Sequence, residues 1–121
     1  MESVLIIEDD EYVRQMLKQT FERAGYEVAT ASNGRVGVQM YESQPFSVVI
    51  TDIIMPDMEG VETITYLKKR NPDVKIIAIS GGGRNNPQSY LSLAERLGAA
   101  FTFTKPVDRQ ELLEAVQGLA A

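Results

Sequence analysis

The sequence predicts an α/β fold in which five parallel strands form one sheet and helices cover both of its faces. Five short apolar runs alternate along the chain with five segments that have the spacing of amphipathic helices. The third run, Val48–Thr51, is β-branched throughout, which is typical of a strand buried on both faces. Strands separated by helices pair in parallel through right-handed crossovers, and a common order for five such strands is 2-1-3-4-5.

Each strand and helix is assigned from its apolar pattern and from the residues that end it. The predicted strands cover Val4–Ile7, Tyr26–Ala31, Val48–Thr51, Val74–Ile79 and Phe101–Thr104. The predicted helices cover Glu11–Ala24, a segment containing Val36–Tyr41, Val61–Arg70, Gln88–Leu97 and a last segment that begins near Asp108. In the first helix, Leu17 and Ala24 belong to the predicted buried stripe and Arg14 to the face in water.

Polar residues and glycines mark where the helices begin and end. Asp10 suits the start of the first helix, because its carboxylate accepts main-chain hydrogen bonds and complements the helix dipole. Ser32 or Asn33 is expected to cap the second helix, and Asp108 the fifth. Gly25 follows the first helix and is expected to cap its carboxyl end.

The composition limits the chemistry that the chain can perform. Its 121 residues predict a single domain over residues 1–121. The net charge of −5 argues against direct binding of nucleic acid. Without cysteine or histidine the chain has neither a thiolate site nor the commonest general base, so any metal should be a hard ion. No apolar run reaches membrane-spanning length and no signal peptide is visible, so we expect a cytoplasmic protein without membrane contact.

Reactive side chains follow four of the predicted strands. The first strand ends in Glu8 and Asp9, the third in Asp52 and the fourth in Ser80, and the fifth is followed by Lys105. A single acid at such a place is often only a solvated strand end. Parallel strands of order 2-1-3-4-5, however, bring these ends to one edge, and ligands bind there between strands 1 and 3. The sequence therefore predicts a site at this edge.

The residue types in this cluster favour phosphoryl chemistry with a metal ion. Three neighbouring carboxylates repel one another unless a cation neutralises them, and Mg²⁺ suits such oxygen ligands. A hydroxyl from Ser80 and an ammonium from Lys105 would complete the charge balance around a phosphoryl group. Asp52 lies on the central strand and is the candidate nucleophile, which would form an acyl phosphate.

Four segments resemble the receiver domain of response regulators in two-component signalling, a flavodoxin-like (βα)5 fold of the chemotaxis-regulator type. They are Val4–Asp10 (VLIIEDD), Thr51–Gly60 (TDIIMPDMEG), Ile79–Gly81 (ISG) and Thr104–Pro106 (TKP). Each segment by itself is weak evidence for the family. Together they occur in the right order on the right elements, and the resemblance covers essentially the whole chain.

The resemblance implies a signalling function. A sensor histidine kinase or a phosphotransfer protein would phosphorylate Asp52, and a conformational change would then control a downstream protein target. Ser80 would hydrogen-bond the phosphoryl group. Lys105 would pair with it, and the peptide bond from Lys105 to Pro106 would be cis. Such a domain catalyses only its own phosphorylation and dephosphorylation, so it is not an enzyme for an external metabolite.

The resemblance also implies how the metal is held. Mg²⁺ would be bound by Asp9, Asp52 and the main-chain carbonyl of Ile54, while Glu8 would act mostly through water. Ile54 also bears on one alternative, a phosphatase of the aspartyl-phosphate type. Such enzymes use a second aspartate two residues after the nucleophile, where this chain has Ile54.

A second alternative is a flavodoxin-like flavin carrier. The first loop of such a protein should present hydroxyls and N–H groups to a phosphate. Here the loop contains four consecutive acids, Glu8–Glu11, which would repel one. An absorption spectrum of the purified protein distinguishes the two hypotheses, because a flavin carrier would show flavin absorption and a receiver would not.

Two features depart from the family pattern. The position three residues before the lysine, usually aromatic in the family, is Thr102, and strand alternation sends Phe101 and Phe103 to the opposite face. The loop Gly81–Pro87 is longer than is typical and rich in glycine, which indicates a mobile switch loop.

Overall fold

Strands and helices alternate along the chain, as the sequence predicts. The computed structural model describes residues 2–53, 59–81 and 87–120. The strands are β1 (Ser3–Ile7), β2 (Glu27–Ala31), β3 (Val48–Asp52), β4 (Ile76–Ser80) and β5 (Phe101–Thr104). The helices are α1 (Glu11–Arg23), α2 (Gly34–Ser43), α3 (Glu59–Arg70), α4 (Pro87–Leu97) and α5 (Arg109–Ala120). Neighbouring strands pair in parallel in the order β2-β1-β3-β4-β5, which confirms the predicted fold class.

The sheet is buried on both faces, and alternate residues of a central strand enter different cores. On β1, Leu5 and Ile7 belong to a core that α2, α3 and α4 complete, and Val4 and Ile6 belong to one that α1 and α5 complete. Both faces therefore require apolar residues, which is why the central strands lack a polar alternation. Within the described ranges, no helix is both long enough and apolar enough to cross a membrane.

Side-chain caps fix where three of the helices begin. Oδ1 of Asp10 accepts a hydrogen bond of 3.1 Å from the N–H of Val13, and Oδ1 of Asn33 accepts one of 2.9 Å from Val36. Asp108 accepts two N–H groups from the first turn of α5, at 2.9 and 3.1 Å. Each bond satisfies a donor that has no partner within its helix. The predicted caps at Asp10, Asn33 and Asp108 are confirmed.

The predicted bounds of several elements differ from the structure by one or two residues, and two predicted details are wrong for a clear physical reason. The fourth strand begins at Ile76 and not at Val74, because the N–H of Val74 donates to the carbonyl of Asn71 (3.0 Å) in a turn that precedes the strand. Ala24 is exposed and not part of the buried stripe, because it lies beyond the end of α1. The chain leaves the helix through Gly25, whose φ of 96° is a left-handed conformation and is typical of a glycine that caps a helix.

Candidate functional site

The predicted site residues lie together where four strands end at one edge of the sheet. Glu8 follows β1, Asp52 and Ser80 are the last residues of β3 and β4, and Lys105 follows β5. Only 2% of Glu8, 4% of Asp52 and none of Ser80 is exposed. Polar groups buried to this extent need partners, because desolvation without a partner is unfavourable. The partners of these groups define the site.

Lys105 joins the two buried carboxylates. Its Nζ lies 2.8 Å from Oε1 of Glu8 and 2.8 Å from Oδ2 of Asp52. Its main-chain N–H donates to the carbonyl of Ser80 at 2.9 Å, which extends the pairing of β4 with β5 by one residue. The peptide bond from Lys105 to Pro106 is cis, as the resemblance implies. The lysine is thus placed by the sheet and held by two charges.

Burial and charge shift the protonation of the site. Burial raises the pKa of Glu8 from 4.5 to about 7, and the charge of Asp52 contributes in the same direction. The hydrogen bonds to Glu8 from Lys105 and from the N–H of Asp10 oppose this shift without cancelling it. Burial acts to lower the pKa of Lys105, but its bonds to Asp52 and Glu8 outweigh burial and raise that pKa. The site therefore keeps its lysine charged and takes up a proton on Glu8 near neutral pH.

Three carboxylates converge tightly enough to hold a metal ion. One oxygen from each of Glu8, Asp9 and Asp52 lies within 4.8 Å of the others. Two oxygens bound to the same Mg²⁺ at about 2.1 Å lie no more than about 4.2 Å apart, so the cluster needs only a small adjustment to bind one. The carbonyl of Ile54, the fourth ligand that the resemblance implies, lies outside the described residues.

The hydroxyl of Ser80 is buried without a hydrogen-bond partner among the residues that the structure describes. Leaving such a group without an acceptor costs about 1–3 kcal/mol, so natural proteins rarely do it without a reason. In the register of β3 with β4, Ser80 follows Ile79, the partner of Asp52. A ligand with several oxygens bound at Asp52 would supply an acceptor close to this hydroxyl.

Comparison with known proteins places the chain in a family. A family model for the response regulator receiver domain matches residues 4–117. The chain belongs to this family. The chemotaxis protein CheY of Thermotoga maritima is 38% identical over 114 residues, which cover 93% of this chain and 92% of that protein. The DNA-binding transcriptional regulator NtrC of Azospirillum brasilense is 34% identical over 115 residues, which cover 95% of this chain but 23% of that protein.

Solved structures agree with this assignment. The crystal structure of a response regulator receiver domain protein from Clostridium thermocellum has a TM-score of 0.91 and 30% sequence identity. The match covers 99% of this chain and 94% of that one. The receiver fold therefore extends over the whole described chain.

The receiver also contains a contact that the sequence did not predict. Arg14, which the helical pattern assigns to the face in water, is half-buried. Its Nη1 donates to the carbonyl of Glu8 at 2.9 Å and lies 3.5 Å from the carbonyl of Asp9. Helical periodicity describes only which way a side chain leaves its helix. The contact depends on how the chain turns between β1 and α1, which no periodicity records.

An apolar groove of about 410 Å³ adjoins the site of this receiver. The first two turns of α1 form one wall, and residues 105–107 form the other. The wall residues on α1 are Tyr12, Val13, Met16 and Leu17. Tyr12 is 79% exposed, so an aromatic ring stands in water beside the site. Because Lys105 lines the groove and also binds Asp52, a molecule seated there lies next to the carboxylate of Asp52.

Proposed function

We propose that this receiver accepts a phosphoryl group on Asp52 from a histidine kinase or a phosphotransfer protein, and that the resulting change of conformation controls a partner protein. The observation that carries the proposal is the environment of Asp52. Its carboxylate is buried at the end of the central strand, bound by Lys105, and faced by the carboxylates of Glu8 and Asp9. A nucleophile, a fixed cation and a group of carboxylates that can hold a metal ion are the parts that phosphoryl transfer requires.

The residues suggest how the transfer proceeds. A carboxylate oxygen of Asp52 attacks the phosphorus of a phosphohistidine whose other ring nitrogen carries a proton, the phosphorus–nitrogen bond breaks, and its electron pair returns to the imidazole nitrogen. The products are an acyl phosphate on Asp52 and a neutral histidine on the donor. Lys105 is close enough to Asp52 to pair with the transferred oxygens, and the buried hydroxyl of Ser80 can donate to one of them.

Mg²⁺ is the metal that best suits this site. Glu8, Asp9 and Asp52 would hold it with the carbonyl of Ile54, because these are oxygen ligands and the chain has neither cysteine nor histidine. When bound, the ion neutralises negative charge on the carboxylates and on the phosphoryl oxygens. Glu8 and Asp52 share Lys105 in this structure, so loading the site redistributes the contacts of that lysine.

The groove beside Lys105 supports a protein as the phosphoryl donor. A donor histidine must approach Asp52 closely, and an apolar surface that continues from the site would hold the protein that carries it. We propose that the domain, residues 1–121, works in the cytoplasm through protein partners, without direct contact with nucleic acid or membrane. Its net charge of −5 supports this choice of partner. The domain catalyses only its own phosphorylation and dephosphorylation.

Phosphorylation by a small donor tests the proposal. Incubation with acetyl phosphate and Mg²⁺ should add one phosphoryl group, measured as intact mass, and Asp52→Asn should abolish the addition. Asp73→Asn is the matched control, because Asp73 is an exposed aspartate in the turn before β4. Undiminished labelling of Asp52→Asn would exclude Asp52 as the phosphoacceptor.

A further inference from the structure

We propose that Arg14 is a positioning residue for the cation site, and that it holds the main chain of Glu8 and Asp9 so that their carboxylates converge on Asp52. The inference rests on the proposed function, since it concerns the metal of the same site. Arg14 is not a ligand, because a guanidinium has no lone pair to offer a cation. It acts on the ligands through their main chain.

The contact begins one turn into α1. The N–H of Arg14 donates to the carbonyl of Asp10 at 2.9 Å in the first turn of the helix. Helical side chains lean toward the amino end of their helix, which directs the guanidinium back over the segment that joins β1 to α1. There Nη1 donates to the carbonyl of Glu8 at 2.9 Å, with a longer contact of 3.5 Å to the carbonyl of Asp9.

The carbonyl of Glu8 lies where the sheet stops providing partners. The N–H of Glu8 still bonds to the carbonyl of Ala31 at 3.0 Å, but β1 ends at Ile7. Glu8 is only 2% exposed, and a buried carbonyl at that place requires a donor. Arg14 supplies a charged donor, and hydrogen bonds from charged donors are stronger and shorter than neutral ones.

A second hydrogen bond stabilises the segment between β1 and α1. The N–H of Asp10 donates to Oε2 of Glu8 at 3.0 Å, so the side chain of Glu8 is fixed by the main chain that Arg14 orders. Asp9 is exposed, and packing does little to fix its carboxylate. Its direction therefore follows the main chain of the same segment and its contact with the side chain of Glu8, which belongs to that segment. Removing Arg14 would loosen two of the three carboxylates together.

Whether neutralising Arg14 weakens or strengthens the binding of Mg²⁺ distinguishes a positioning role from plain electrostatic repulsion. Arg14 carries a positive charge close to a cation site, so Coulomb repulsion alone predicts that neutralising it strengthens the binding of Mg²⁺. Positioning predicts the opposite, because disordered ligands bind a metal less well. Losing a residue that orients metal ligands commonly weakens binding by about 10–100-fold.

Calorimetric titration with Mg²⁺ tests the inference in the wild type, Arg14→Gln, Arg14→Lys and Arg23→Gln. We expect the dissociation constant of Arg14→Gln to rise roughly tenfold or more. Arg14→Lys, which keeps a charged donor, should bind more tightly than Arg14→Gln. Arg23→Gln loses the same charge from an exposed position in the last turn of the same helix, and should match the wild type.

Thermal unfolding and labelling of the same variants complete the test. A lower melting temperature of Arg14→Gln with unchanged Mg²⁺ affinity would mean a purely structural role, and an affinity equal to or above that of the wild type would also overturn the inference. If the wild type binds Mg²⁺ and is labelled by acetyl phosphate in these cases, the proposed function stands alone. A wild type that binds no Mg²⁺ would overturn the metal site and this inference together. If Arg14→Gln does not fold, Arg14→Lys decides, since positioning predicts weaker binding for it than for the wild type.

Discussion

The ammonium of Lys105 lies 2.8 Å from Oδ2 of Asp52, although 53 positions separate the two residues in the chain. The same ammonium lies 2.8 Å from Oε1 of Glu8. One cation therefore offsets two buried carboxylates, which would otherwise repel each other. Any cation or phosphoryl group that binds at this edge of the sheet changes the distribution of these contacts.

Replacing Lys105 by methionine keeps the length of the side chain but leaves the buried carboxyl groups of Glu8 and Asp52 without their shared cation. We expect the free energy of unfolding at pH 8 to fall by roughly 2 kcal/mol, which urea denaturation measures. Removing one partner of a fully buried ion pair typically costs about 3–5 kcal/mol. The loss should be smaller here, because the side chain of Lys105 is 22% exposed. Adding Glu8→Gln should recover part of it. Equal stability of Lys105→Met and the wild type would contradict this account.

Stability without metal should fall as the pH rises through neutrality. The pKa of Glu8 is raised from 4.5 to about 7 in the fold, mainly by burial, so between these values the folded protein holds a proton that the unfolded chain has lost. The stability that Glu8 contributes is complete below its unfolded pKa and is lost above its folded one. Between pH 5.5 and 8 we expect a decrease on the order of 2 kcal/mol in the presence of a chelator.

Glu8→Gln is the control for this pH dependence, since glutamine is close in shape and does not titrate. Its free energy of unfolding should vary much less over the same pH range. A wild type whose stability does not fall between pH 5.5 and 8 would contradict the raised pKa of Glu8. The raised pKa of Lys105 does not interfere, because that group stays protonated over this range.

Asp9 should contribute to metal binding at the expense of the metal-free fold. Bringing its carboxylate near those of Glu8 and Asp52 is unfavourable until a cation binds. Mg²⁺ should therefore raise the melting temperature of the wild type, and Asp9→Asn should reduce that increase. Without Mg²⁺, Asp9→Asn should be at least as stable as the wild type. An exposed control, Asp73→Asn, should leave the increase unchanged, and the full increase in Asp9→Asn would remove Asp9 from the site.

Gly60 should be required for the position of Asp52. A Cβ at Gly60 would lie 2.5 Å from Cα of Ile53 and would overlap the carbonyl oxygen of Asp52. These are main-chain atoms, so the start of α3 would have to move away from the end of β3. We expect Gly60→Ala to lower the free energy of unfolding by about 2 kcal/mol or more and to slow labelling by acetyl phosphate.

Gly118→Ala is the matched control on α5. A Cβ at Gly118 meets nothing within 4 Å, and alanine in an exposed helix should stabilise the protein by about 0.5–1 kcal/mol. The two substitutions add the same methyl group and should shift the urea midpoint in opposite directions. A similar midpoint for both variants would show that α3 does not constrain Asp52.

The fold and the residues that form the site could be predicted because both follow from apolar patterns and from the residues at the strand ends. Apolar runs mark the strands, and parallel pairing then brings their carboxyl ends to one edge whatever the details of packing. Glu8, Asp52, Ser80 and Lys105 meet there for that reason. Their roles in phosphoryl transfer remain predictions.

The contacts made across this edge could not be predicted in the same way. Lys105 was expected to pair with a phosphoryl group, and its double ion pair with Glu8 and Asp52 depends on distances that no spacing in the chain encodes. The bond from Arg14 to the carbonyl of Glu8 depends on the turn between β1 and α1. A periodic pattern identifies the side of a helix but not what the neighbouring loop brings to it.

Thr102 occupies the position of β5 where the family usually has an aromatic residue, and its neighbours do not replace one. Thr102 pairs with Ala78 in the register of β4 with β5. Phe103 packs instead against the core that α1 and α5 complete, and Phe101 is 45% exposed. Because side chains alternate along a strand, both phenylalanines lie on the face opposite Thr102. No aromatic residue of β5 is therefore available to turn into space near Ser80 when the site is occupied.

We therefore expect the signal to leave the site through the segment between β4 and α4 and not through β5. Thr102→Ala should leave phosphorylation and most of the conformational response intact, since threonine is too small to fill a space that another side chain vacates. The segment Gly81–Pro87 contains three consecutive glycines, which permit large changes of φ and ψ, although residues 82–86 lie outside the described residues. Replacing Gly82 and Gly83 by alanine together should preserve labelling of Asp52 and suppress the response of α4. Amide hydrogen exchange with and without beryllofluoride, a phosphoryl mimic, measures both effects. Exchange changes that centre on β5 and disappear in Thr102→Ala, while α4 does not respond, would show that the signal travels through β5.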